Sequence, residues 1–322
     1  TRYFVSNPGV LQVNDQGLVS AGGVGEAILT VINGPTETLI SIRVEQPHVG
    51  PTAIGTSGGI VRSVEGYQVA VAPGSLAGTE TVSITPLTQA QLPMTIPGPF
   101  EYVAAFDLQV GDQILDHPLQ IAIPVPSTLA PGTKVYFFQE GNVPDATGAA
   151  RPVWMQMEVG VVGNDGIARA TSYPHNGVDR SGKVVLTTAP AGSIANVVGK
   201  VSVTNINPPG IGNSDYLAFA GLGGGAAFGA FVSLGNIAMS LPTLSNIDLQ
   251  IVEVRPEGLP VVTTTNVQIN PQQTSLPTIS IVAAPRAEGL WSAPAITGAR
   301  LEFANNRFEL VLTGDRFTYQ YQ

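Results

Sequence analysis

The sequence predicts an all-β fold, and three observations carry that prediction. Gly (37) and Pro (26) together approach a fifth of the 322 residues, with no collagen period, which fits many short strands joined by tight turns. Apolar residues do not recur at i, i+3, i+4 and i+7 over any helical length. Runs such as Thr36–Val44 instead alternate: Ile40, Ile42 and Val44 share one face, and Ser41 and Arg43 the other, as a half-buried strand requires.

Composition narrows the class further. Hydrophobic residues make up 43% of the chain, enough to build cores, and the length predicts two or three domains. Charged residues are only 11%, against roughly 25% in ordinary globular proteins. A formal charge of −9 and the small lysine set of Lys134, Lys183 and Lys200 argue against nucleic acid and anionic lipid as partners, because a basic patch is needed to release counterions. Cysteine is absent, so neither disulfides nor thiolate-held metal is expected. The uncharged stretch from Tyr216 to Ile247 is long enough for a membrane span. Its glycines, with Ser233, Asn236, Ser240 and Pro242, instead predict buried strands with a glycine-lined close approach.

Residues 1–47 contain Ser6-Asn7-Pro8, then Gly17-Leu18-Val19-Ser20-Ala21, then Gly25-Glu26-Ala27-Ile28-Leu29-Thr30-Val31, with turn chemistry at Asp15-Gln16-Gly17 and Asn33-Gly34-Pro35. This pattern over residues 3–44 resembles the second half of the bacterial Ig-like group 2 module of intimin and invasin type. The resemblance implies a stalk or adhesin module whose first half lies upstream of Thr1. His48 to Ser57 reads as a Pro/Gly/Thr linker.

The next stretch opens with Gly58-Gly59-Ile60-Val61 and continues through Val71-Ala72-Pro73-Gly74-Ser75-Leu76 and Val82-Ser83-Ile84-Thr85-Pro86. Ile121-Ala122-Ile123-Pro124-Val125-Pro126 and Pro131-Gly132-Thr133 follow. In this order the pieces resemble the ZU-five family of ankyrins, netrin receptors and bacterial surface proteins over residues 57–188, with Ser75 where that family has alanine. The resemblance implies a β-sandwich used for interaction or spacing. Trp154, Met155 and Met157, set against Val153, Gln156 and Glu158, predict a strand with one wet face.

Residues 189–290 resemble no family. Strands are expected at Val197–Thr204, Leu217–Phe219, Phe228–Leu234, Ile247–Val254, Val261–Ile269 and Thr278–Ala283, which predicts another sandwich. Over 294–317, Pro294-Ala295-Ile296 and Leu312-Thr313-Gly314-Asp315-Arg316-Phe317 resemble the opening strands of the IPT/TIG Ig-like family, in a module that continues past Gln322 (range 294–322).

Reactive chemistry is sparse. The histidines are His48 in the linker, His117 before Pro118, and His175 in Tyr173-Pro174-His175-Asn176-Gly177, and Gly-x-Ser-x-Gly is absent, so a hydrolase triad is not expected. Relatives of the ZU-five module cut their own backbone at His-Phe-Ser. Here His175 precedes Asn176-Gly177 without a hydroxyl to attack, so a turn is expected there. Asp112, Asp116, Asn164, Asp165 and Gly166 lack calcium-loop spacing and read as solvated turns. Tyr136-Phe137-Phe138, Trp291, Tyr319 and Tyr321 are the aromatics a glycan would stack on. Lys183 and Lys200 are the candidates for an isopeptide bond with an asparagine. No catalytic, cofactor-binding or metal-binding residue is assigned.

The expected function is therefore a structural or spacer segment of a bacterial extracellular surface protein, stalk or filament, and not an enzyme. Its partners would be further domains of the same chain or other copies of itself. A glycan- or protein-binding adhesion module is the alternative, and a self-cleaving ZU-five-type domain a second one. An extracellular, cell-surface location goes with all three.

Overall fold

The computed structural model describes residues 1–15, 17, 19–115, 117–144, 150–171, 175–204, 215–221, 227–233, 236–243, 245–254, 261–282, 296–304, 307–314 and 318–321. The protein is all-β. Among the described residues the only helix is one 3-10 turn, Gln89–Gln91. By contacts the chain divides into two units, Thr1–Lys200 with Ser214–Pro277, and Val201–Asn213 with Thr278–Gln322.

The first unit begins with β1 (Arg2–Val5), β2 (Leu11–Val13), β3 (Val19–Ala21), β4 (Gly25–Asn33) and β5 (Thr36–Val44). β1, β4 and β5 form an antiparallel sheet in that order, and β2 pairs with β3 as a separate ribbon. Gly34 and Pro35 make the two-residue loop between β4 and β5, with Gly34 at φ +59, the left-handed value that glycine supplies at the first position of such a turn. Val10, Leu11, Ala27 and Leu29 form the core, with Tyr3, Val5, Val31 and Ile42 packed around it. The alternation read from Ile40 to Val44 is the one observed.

The segment read as a linker is not one. It supplies β6 (His48–Val49) and β7 (Thr52–Ile54), and Ile54 is buried in the next core. Proline, glycine and threonine there signal edge strands and turns rather than an extended connection. β8 (Gly59–Arg62), β9 (Gln68–Val71), β10 (Glu80–Leu87) and β11 (Glu101–Gln109) follow. Then come β12 (Gln120–Pro124), β13 (Lys134–Pro144), β14 (Ala150–Val162), β15 (Ile167–Ala170) and β16 (Gly182–Thr188). Val61, Val69, Phe106, Leu119, Ile123 and Phe137 are among the side chains that fill the core between these strands. Gly58 sits at φ +71, where a Cβ would lie 2.3 Å from the Val71 carbonyl oxygen, so the Gly58-Gly59 pair is fixed by lack of space.

The expected wet face of β14 is dry. Strand geometry puts Val153, Met155 and Met157 on the core side and Trp154 and Gln156 on the other, and a register shift opposite Phe137 and Phe138 then breaks the alternation, so that Glu158 pairs with the core residue Phe137. All six β14 residues are at most 5% exposed. Tyr136 and Phe138 of β13 and Val185 and Thr187 of β16 are buried on that second side as well. The sheet is covered on both faces, which sequence alternation alone does not reveal.

Part of that cover is local, since the Trp154 indole donates to the Thr95 carbonyl (3.0 Å), and part comes from the following segment: β17 (Ile194–Thr204), β18 (Asp215–Gly221), β19 (Ala227–Ser233), β20 (Asn236–Pro242), β21 (Ser245–Val254) and β22 (Val261–Ile269). Five of these match expected strands to within a few residues, while β20 was not expected. β19 pairs in parallel with β14, Trp154 opposite Phe228 and Met155 opposite Gly229. Val252 of β21 joins the same core as Phe106 and Leu186. No helix of the described residues is long and apolar enough to cross a membrane.

In the second unit, Val201–Thr204 at the end of β17 pairs in parallel with β23 (Ile279–Val282). β24 (Ile296–Ala304), β25 (Arg307–Gly314) and β26 (Thr318–Tyr321) form a three-stranded antiparallel sheet.

Candidate functional site

The residues singled out for chemistry do not converge. His48 is exposed on β6, His117 is exposed before Pro118, and His175 is half-buried. Burial lowers the His175 pKa to about 4, so its imidazole is neutral at pH 7. Beyond it, the Gly177 amide donates to the Met157 carbonyl (2.9 Å) and the Val178 amide to Glu158 Oε1 (3.2 Å). Gly177 has φ +83 and is buried, and an added Cβ would lie 2.3 Å from Pro118. Asn176-Gly177, expected as a turn, is instead irregular chain after a bend at His175; Gly177 packs against β14 and Asn176 is exposed.

Asn164-Asp165-Gly166 is the β14–β15 hairpin turn, with Gly166 at φ +72. Arg169 donates to both carboxylate oxygens of Asp165 (2.6 and 3.0 Å), and the Ile167 amide adds a bond of 3.2 Å. Chiefly through the Arg169 hydrogen bonds, the Asp165 pKa falls to about 2. The carboxylate is committed to this pair rather than to a cation. Both side chains are about half exposed, so the pair is worth at most about 1 kcal/mol. That contribution is present above pH ~4 and is lost as pH falls toward 2. Asp112 is exposed in its loop, and Asp116 lies outside the described residues. Among the described residues no group of three His, Asp or Glu is placed to hold a metal ion.

The aromatic run is not a sugar platform. Phe137 is buried in the sandwich core, while Tyr136 and Phe138 point the other way and pack edge-on against Phe100, with centroids 5.1 and 4.9 Å apart. Trp291 lies outside the described residues. Tyr319 and Tyr321 are on β26. Lys183 lies opposite Asp107 on β11, and its amide donates to Glu140 Oε1 (3.1 Å). Lys200 is exposed opposite Asn236.

Two features escaped sequence reading. The first is a buried polar joint between β14 and β20. Gln156 Nε2 donates to Ser240 Oγ (2.6 Å), the Ser240 amide donates to Gln156 Oε1 (2.8 Å), and Ser240 Oγ donates to Asn196 Oδ1 (2.6 Å). Gln156 is 2% exposed and Ser240 0%. The Gln156 amide nitrogen and oxygen and the Ser240 amide and hydroxyl each find a partner, which makes burying them tolerable.

The second is the outer face of the N-terminal sheet. Phe4, Thr30 and Leu39 form one cross-strand row, with Ile28 and Ile32 adjoining on β4. Phe4 is 53% exposed, Ile28 43% and Leu39 64%. An open pocket of about 360 Å³ lies at the hairpin end of this face, lined by Thr1, Arg2, Phe4, Ile32 and Gly34. Contiguous exposed apolar side chains of this kind mark contact surfaces.

No protein-family model matches the chain, and no curated protein matches it.

Proposed function

We propose that the chain is a structural, spacing segment of a bacterial extracellular surface protein, a stalk or filament, built from Ig-like and ZU-five-like modules. The observation that supports this reading is the joint at β14. There the 57–188 strands and those that follow share a parallel strand pair, the buried Gln156–Ser240–Asn196 chain and the core position of Val252. A spacer needs successive modules that do not hinge, and a dry joint with matched polar groups restricts hinging far more than a free linker does. Its partners are the adjoining modules of the same chain and other copies of it. Among the titratable groups placed above, Asp165 and Arg169 hold the β14–β15 turn and Glu158 accepts the buried Val178 amide, structural roles that suit a spacer.

The second reading is an adhesion module, favoured by the exposed Phe4, Ile28 and Leu39. A glycan array probed with the 322-residue protein separates the two. The spacer reading expects no retained glycan. Saturable binding of one glycan class, lost in a Phe4→Ala/Leu39→Ala variant, would replace it with the adhesion reading.

A further inference from the structure

We propose that β5 is a self-pairing edge: two copies of this chain join their β5 strands antiparallel about a two-fold axis at Ile40, making one continuous six-stranded sheet. The proposal rests on the reading that other copies are partners, and adds the surface and the register.

The backbone argument comes first. The Ser6 amide donates to the Ile28 carbonyl, so in β4 the even-numbered residues bond toward β1 and the odd-numbered ones toward β5. Register pairs Leu29 with Ile40, Ala27 with Ile42 and Val31 with Thr38, so the even residues of β5 are spent on β4. The amides and carbonyls of Glu37, Leu39, Ser41 and Arg43 therefore point to the open edge. Among the described residues, β5 is an end strand of its sheet, and Thr36 through Ser41 are all exposed. An unshielded nine-residue edge is a template for another strand.

The side chains select the partner and the register. Antiparallel pairing of a strand with its own copy about Ile40 sets Glu37 opposite Arg43 and Leu39 opposite Ser41, twice each by symmetry. All four are residues whose backbone groups face the open edge, so this register also satisfies the hydrogen bonds, about eight in all. It uses the whole of Thr36–Val44. Shifting it by two residues in either direction breaks both Glu37–Arg43 pairs. Ile40, 42% exposed, meets its own copy across the axis on the inner face. On the outer face the two Leu39 side chains become diagonal neighbours, linking the Phe4–Leu39 rows of both copies into one apolar strip. Arg43 is 63% exposed and held by Glu45 at 2.6 Å, so it is already extended at the edge.

Sedimentation equilibrium of the 322-residue protein between about 1 and 200 µM tests this. The wild type is expected to approach twice the 33.4 kDa chain mass. Glu37→Arg and Arg43→Glu should each weaken association about tenfold or more, since each creates two like-charge contacts. The Glu37→Arg/Arg43→Glu double variant should recover to within about threefold of wild type, because the exchange restores both pairs. Ser41→Pro removes an amide that faces only the open edge, so it should abolish association without changing the melting temperature by more than a few degrees. A wild type that stays monomeric throughout, or a double variant no better than the singles, overturns the proposal. Either result leaves the β14 joint untouched, because that joint lies within one chain.

Discussion

Gln156 and Ser240, 84 residues apart, hold each other through two hydrogen bonds: the glutamine amide donates to the serine hydroxyl, and the serine backbone amide donates back to the glutamine carbonyl oxygen. Neither residue is accessible enough for water to replace its partner. Removing one side leaves the other buried and unmatched, at a cost of roughly 1–3 kcal/mol. Gln156→Ala and Ser240→Ala should each destabilise by about that much in urea melts. A double-mutant cycle should give a coupling of about 1 kcal/mol or more, as for residues in one network. A coupling near zero would mean that the pair does not act as a joint.

Ser75 points the opposite way. It is 6% exposed and its hydroxyl has no hydrogen-bond partner among the described residues. Ser75→Ala removes an unmatched buried hydroxyl without opening a cavity, so it should stabilise the protein by about 1 kcal/mol. Chemical denaturation checks the sign: a loss of stability would show that the hydroxyl is satisfied.

Gly58→Ala should destabilise by roughly 2–4 kcal/mol, combining a left-handed backbone with a Cβ driven into the Val71 carbonyl. Gly74→Ala is the control. Gly74 also has φ +80 but open space around the added Cβ, so only the conformational cost remains, about 1–2 kcal/mol. Thermal melts of the two variants should rank them in that order.

The His175 pKa is lower in the folded protein than in the unfolded chain. The unfolded state therefore binds more protons between the two values, and stability drops as pH falls from about 6.5 to about 4. Above pH 6.5 the histidine has no pH-dependent effect. His175→Gln should flatten the stability profile in that window, by about 1–2 kcal/mol allowing for the partial exposure of the ring. An unchanged profile would show that another group titrates there.

Much of this was legible in the chain, for local reasons. Alternation in Thr36–Val44, glycine at Gly34 and Gly166, and the Gly58-Gly59 pair each state a local backbone need, and the structure meets each one. β14 was misread because Gln156 and Glu158 look solvated. Their partners are Ser240 on β20 and the Val178 amide in the connection between β15 and β16, and no local pattern announces them. β20 was missed for the same reason: Ser240 breaks an apolar run, yet it is wholly buried. His48 to Ser57 was read as a linker because edge strands and linkers share a composition rich in proline, glycine and threonine. Tyr136 to Phe138 gave the right geometry, consecutive rings on opposite faces, but not that both faces are covered.

The central claim, a spacer whose successive modules are locked together at β14, is tested most directly by pulling single 322-residue chains between terminal handles. The joint predicts that residues 48–200 and 214–277 of the first unit unfold in one cooperative step, lengthening the chain by about 800 Å at roughly 3.6 Å per residue. Two independent steps of about 500 and 300 Å, one for each side of the joint, would contradict it.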